Sequence, residues 1–107
     1  MFKSLEGKKV LVTGASGGIG SAMARWFAEC GAIVGLHHNQ SGKEVDSIIR
    51  EIEEKGGRGA SFQSDLTADS PADVVHSFVD MFGGIDILVN NAGAVIGSKD
   101  ILDLDEE

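Results

Sequence analysis

Four short, largely apolar runs mark the chain at Val10 to Thr13, Ala32 to Leu36, Gly59 to Gln63 and Ile85 to Val89. Each is the length of a strand buried on both faces. Segments with helical spacing separate them. In the first, Ser21 to Cys30, apolar residues fall at Ala22, Met23, Trp26, Phe27 and Cys30, in spacing with Ile19 just before it, and Gly31 follows as a stop. That stripe predicts Met23 and Trp26 in the core, with Cys30 as a buried small hydrophobe. In the second, Ser41 to Lys55, Val45, Ile48, Ile49 and Ile52 recur at helical intervals among charged residues, and Gly56-Gly57 closes the segment. The third opens with Ser70 as N-cap, Pro71 at the first helical position and Asp73 in the first turn. Its apolar face is Val74, Val75, Phe78, Val79 and Phe82, and Gly83-Gly84 ends it. His76 falls on its solvent side. The tail from Ala94 reads as a loop and then as the acidic first turn of a further helix at Asp103 to Glu107.

Strand and helix thus alternate as β-α-β-α-β-α-β with short connections. The pattern predicts an α/β fold, a doubly wound parallel sheet with helices on both faces and right-handed crossovers. The expected strand order is 3-2-1-4. A ligand crevice is then expected at the carboxyl ends of strands 1 and 4, where the order reverses.

The stretch that sits at that crevice is Thr13 to Gly20, T-G-A-S-G-G-I-G. Strand, glycine turn and helix together aim free backbone N–H groups and a helix N-terminus at a phosphate. Gly14 permits the tight turn, Gly18 leaves room for a pyrophosphate, and Gly20 allows close packing of the helix. The hydroxyl of Ser16 can reach a phosphate or cap the helix.

Composition narrows the classes. The 107 residues fit one domain, and 42% hydrophobic with 24% charged residues is ordinary for a globular chain. A formal charge of −8 disfavours a nucleic-acid partner, which needs a basic surface. No run reaches the roughly 18–20 apolar residues of a membrane span, and no secretory leader pattern opens the chain. The single cysteine fits a reducing, cytoplasmic setting. His37 and His38 are adjacent at the end of the second strand, so they point to opposite faces. Without a further ligand at metal spacing they predict no metal site. His38 is instead expected in a loop beside an adenine ribose.

Four features now coincide: T-G-x-x-x-G-x-G at Thr13 to Gly20, the strand end at His38, Asp65-Leu66 after the third strand, and N-N-A-G at Asn90 to Gly93. Together with the run Phe82 to Val89, they resemble the short-chain dehydrogenase/reductase family, most closely its 3-oxoacyl-carrier-protein reductases. The resemblance covers nearly the whole chain. It implies a Rossmann-type domain that binds a nicotinamide dinucleotide and transfers hydride to or from a small carbonyl or alcohol substrate. By that likeness Gly14, Ser16, Gly17, Gly18, Ile19 and Gly20 surround the pyrophosphate and its ribose. Asp65 and Leu66 meet the adenine. Asn91, Ala92 and Gly93 line the far side of the adenosine, while Asn90 ties the fourth strand to its neighbours. His38 and Asn39 sit where the 2′ position of the ribose is read. No acid follows until Glu44, whereas His38, Asn39, Ser41 and Lys43 can donate to a phosphate, which favours NADP(H) over NAD(H). Gly17 argues the other way, since many NADP-using relatives carry Arg there.

The family's catalysis requires a tyrosine acid/base in a Y-x-x-x-K motif, and this sequence has no tyrosine. No catalytic residue is therefore assigned. The resemblance implies residues 1–107 as a single, incomplete domain ending at the start of a fourth helix. Three functions stand open: a shortened oxidoreductase, a non-catalytic dinucleotide-binding or interaction module, and a fragment without independent function. An unpaired fourth strand also predicts a marginally stable monomer or a self-associating one.

Overall fold

A computed structural model describes residues 4–15, 17–66, 68 and 70–91. The elements run β1 (Lys9–Val12), α1 (Gly18–Glu29), β2 (Ile33–His38), α2 (Gly42–Glu54), β3 (Arg58–Gln63), α3 (Pro71–Phe82) and β4 (Ile87–Val89). The strands form one sheet in the order β3-β2-β1-β4, every pairing parallel, as the alternation predicts. Val12 stands beside Leu36 on one side and Val89 on the other, so the order reverses at β1.

Alternate strand residues feed two apolar layers. Val10, Val12, Val34 and Leu36 pack with Ala24, Val45, Ile48 and Ile52 in the layer beneath α1 and α2. Leu11 packs with Phe62, Val74 and Phe78 on the opposite side, beneath α3. At Gly35 a Cβ would come within 2.5 Å of the Phe78 ring, so the missing side chain admits that ring to the sheet. The Ser70 cap is in place, its hydroxyl accepting from the Ala72 N–H at 3.1 Å. Gly83 closes α3 in the left-handed region at φ +84°.

The buried face of α1 differs from the one its large apolar residues predict. Trp26 is 58% exposed and Ile19 70% exposed, Ala22 is exposed, and Met23 is only half-buried. The helix seats itself instead through Gly20 and Ala24, with Phe27 and Ala28 packed against the layer. Small residues win because the helix axis must approach the turn that feeds it, leaving the bulky stripe outside. Cys30 is buried, and His76 is exposed, as the pattern indicates. The second strand is longer than predicted. It includes His37 and His38, both buried, so His38 belongs to β2 and not to a loop. The first helix likewise starts earlier, at Gly18, which places Gly18, Ile19 and Gly20 in its first turn.

Candidate functional site

The turn between β1 and α1 is set by Gly14, whose φ of +61° lies where an L side chain is strained. Its N–H donates to His37 Nδ1 at 3.0 Å, and the Ala15 N–H donates to the His37 carbonyl at 2.9 Å. The chain then enters α1 at Gly17, an N-cap without a side-chain hydrogen bond. The first N–H groups of a helix have no intrahelical acceptor, and those of α1 follow directly on the end of β1, where the strand order reverses. A Cβ at Gly18 would meet no atom within 4 Å, so the protein's own packing does not demand glycine there. Gly20 is the reverse case. A Cβ on it would collide with the Gly14 carbonyl oxygen and lie 2.7 Å from Asn91 Nδ2.

The wall opposite is the end of β4. The Thr13 hydroxyl donates to the Val89 carbonyl at 3.2 Å, with Asn90 Oδ1 at 3.4 Å, and accepts from the Asn91 N–H at 2.8 Å. Asn91 Nδ2 donates to the Gly14 carbonyl at 3.4 Å. The structure thus brings Asn91 directly onto the glycine turn and places Asn90 where it joins β4 to β1. Ser16, Ala92 and Gly93 lie outside the described residues.

On the other side of β1, His37 Nε2 lies 2.9 Å from the Ser64 carbonyl, beyond the end of β3. Because Nδ1 accepts from Gly14, Nε2 carries the proton and donates to Ser64. Burial pushes the His37 pKa below its ordinary 6.5, an effect the Ser64 bond opposes and neighbouring His38 reinforces. Asp65 and Leu66 follow Ser64, both half-buried, with Leu66 packed on the layer beneath α3. His38 is 8% exposed, and its Nδ1 is buried without a hydrogen-bond partner. Its ring edge lies against Gly42, the first residue of α2, where a Cβ would stand 3.4 Å from Cε1. Asn39 is exposed, its carbonyl accepting from Gln63 Nε2 at 3.0 Å.

Two working residues carried only a faint sequence signal. Thr13 shows as a hydroxyl closing an apolar strand, and His37 as a polar residue continuing one. The partners that give them roles, Asn91 and Ser64, stand 78 and 27 positions away. A separate cavity of about 280 Å³ opens at the opposite ends of the strands, among Glu6, Arg25, Gly31, Glu51 and Arg58. It shares no lining residue with the glycine turn.

Comparison with known proteins agrees with this geometry. The short chain dehydrogenase family matches residues 8–107. The chain is 39% identical over 99 residues to 3beta-hydroxysteroid dehydrogenase 1 of Eggerthella lenta, covering 92% of this chain and 38% of that one. It is 44% identical over 93 residues to an L-rhamnose 1-dehydrogenase (NAD(P)(+)) of a Sphingomonas species, covering 86% and 37% respectively. Among solved structures, a dehydrogenase/reductase from Sinorhizobium meliloti superposes with a TM-score of 0.80 at 40% identity, over 85% of this chain and 36% of that one. A short chain dehydrogenase from Burkholderia cenocepacia, in complex with NADP, gives 0.78 at 42%, over 85% and 38%. The chain therefore spans under two-fifths of the length of these relatives. Among the described residues no helix is long and apolar enough to cross a membrane. In sequence and in fold, this chain belongs to the short-chain dehydrogenase family.

Proposed function

We propose that residues 1–107 form the dinucleotide-binding part of an NAD(P)-dependent oxidoreductase, as one incomplete Rossmann domain. The observation that carries the reading is the N-terminus of α1, open toward the switch between β1 and β4 with clear space over Gly18. Backbone N–H groups of Gly17, Gly18 and Ile19 would hold the diphosphate. Asp65 and Leu66 would hold the adenine, and Asn91 the adjacent ribose. The bound nicotinamide supplies hydride transfer to or from a carbonyl or alcohol carbon. This chain's residues contribute binding and orientation, and with no tyrosine in the sequence the isolated chain is expected to be catalytically silent. A nearer kinship with 3-oxoacyl-carrier-protein reductases belongs to the same proposal and rests on the Phe82 to Gly93 run.

NADP(H) is the favoured cofactor. His38 lies beside the start of α2, whose N-cap Ser41 makes no side-chain bond, and no acid follows it until Glu44, a setting that suits a 2′-phosphate. The Burkholderia relative that was solved with NADP supports the choice. Calorimetric titration of the chain with NADP+ and with NAD+ tests the reading. Saturable binding, tighter for NADP+, is expected. Failure to bind either, with a folded circular-dichroism spectrum, would reject it. Carbonyl reduction by the chain alone would refute the assigned lack of catalysis.

A further inference from the structure

We infer that His37 is a positioning residue of the phosphate-binding turn, a neutral imidazole that holds Gly14 in place, so that dinucleotide affinity follows its protonation state. The inference rests on the dinucleotide reading above. One ring makes two directional contacts. Nδ1 accepts from the Gly14 N–H at 3.0 Å, and Nε2 donates to the Ser64 carbonyl at 2.9 Å. It therefore links the glycine turn to the chain just before Asp65, the diphosphate half of the crevice to its adenine half. His37 is 3% exposed, so water does not substitute readily for either contact.

Only one charge state fits. A protonated ring carries N–H groups on both nitrogens, and the one on Nδ1 would point at the Gly14 N–H. Two donors face each other, and the turn must move or the proton must leave. Gly14 cannot relax independently. Its carbonyl accepts from Asn91 Nδ2 and its neighbour Ala15 is tied to the His37 backbone. Displacement of Gly14 would therefore carry the start of α1 with it.

The ionisable groups around the ring are few. The glycine turn and the end of β4 contribute none among their described residues. On β2 the neighbour is His38, which opposes a second positive charge. Asp65 follows Ser64, and Asp73 of α3 lines a cavity together with Ser64. Desolvation outweighs these surroundings and keeps the ring neutral around pH 7.

The experiment compares NADP+ affinity of the parent, His37→Asn and His37→Leu by calorimetry from pH 7.5 to 5.0. Asparagine presents Oδ1 near the position of Nδ1, accepts from Gly14 and does not titrate. Parent affinity is expected to fall about tenfold more than that of H37N across the range, the scale of one lost hydrogen bond. Taking the ratio of the two removes the titration of the cofactor's own 2′-phosphate. H37L is expected to bind about tenfold more weakly than H37N at pH 7.5. Nitrogen-15 spectra of the parent's imidazoles supply a second readout, with Nδ1 of His37 unprotonated at pH 7.5. Parallel pH profiles for parent and H37N, or a protonated Nδ1 at pH 7.5, would overturn the inference while leaving the dinucleotide reading intact. Absence of binding by every variant at pH 7.5 would overturn that reading, and the inference with it.

Discussion

Gly18 and Gly20 lie two residues apart in the first turn of α1, yet alanine at each should have opposite consequences. At Gly20 a methyl group would meet the Gly14 carbonyl oxygen, Asn91 Nδ2 at 2.7 Å and the Ala15 Cα at 3.0 Å. Two of those three are backbone, and Asn91 is itself bonded to Gly14 and Thr13, so nothing yields cheaply. Overpacking of this kind costs about 1–3 kcal/mol. Alanine's helix propensity recovers at most about 1 kcal/mol, and less in a first turn. The net for Gly20→Ala is a loss of about 1–2 kcal/mol, or roughly 5–15 °C in Tm for a domain of this size. At Gly18 the methyl group enters open space, so Gly18→Ala should match or exceed the parent's stability by up to about 1 kcal/mol. The same methyl group occupies the room proposed for the diphosphate, and NADP+ affinity should drop more than tenfold. Urea unfolding and calorimetric titration of both variants separate the two effects. A G20A chain as stable as the parent would refute the close-packing argument. A G18A chain binding NADP+ at parental strength would show that the phosphates do not lie over Gly18.

Other outcomes follow from the same geometry. His38→Asp should reverse the cofactor preference, because a carboxylate accepts from a ribose 2′-OH and repels a 2′-phosphate; NADP+ affinity should fall at least tenfold, and retention of the preference would move the 2′ site elsewhere. Phe78→Ala should cost about 3–5 kcal/mol in urea unfolding, whereas Trp26→Ala should cost under about 1 kcal/mol, since Phe78 is fully buried and Trp26 mostly exposed. His37 binds fewer protons folded than unfolded below neutrality, so its contribution to stability is complete above pH 6.5 and is lost as the pH falls through the folded value. Urea midpoints should therefore decline on acidification in the parent more than in H37N. The edge of β4 away from β1 has no strand beside it among the described residues, and sedimentation velocity should show mass rising with concentration. A monomer at all concentrations would count against edge pairing.

The sheet and its order were legible because hydrophobic period and element alternation report the burial that each segment needs. α2 shows this well, with Val45, Ile48 and Ile52 buried and its charges outward. The face of α1 was misread for a physical reason. Size-weighted reading favours Trp26, Met23 and Ile19, whereas close approach to a turn selects glycine and alanine, which contribute little to any hydrophobic stripe. Polarity misled at β2 as well. Two histidines look like the end of a strand, although a buried imidazole with two satisfied nitrogens continues one at small cost. The local motif locates Gly14 and Gly18 to Gly20 at the strand-to-helix turn, where the structure has them. Thr13 and His37 act through partners fixed only by strand register, and no window of sequence contains those pairs.

Their roles follow from where the parallel ladder stops. Past Val12, Val89 and His38 the regular ladder ends; backbone bonds persist from Ala15 to His37 and from Ser64 to His38, but the N–H groups of residues 14 and 91 bond to side chains. Side chains take over in sheet order. Thr13 and Asn91 join β4 to β1, His37 joins β1 to β2, and the same ring reaches Ser64 beyond β3. A continuous polar seam thus crosses all four strand ends beside the glycine turn. Hydrogen bonds hold direction better than apolar contacts, and the proposed diphosphate site needs its N–H groups aimed before binding. Stability of this chain should therefore track the two apolar layers, while affinity should track the seam.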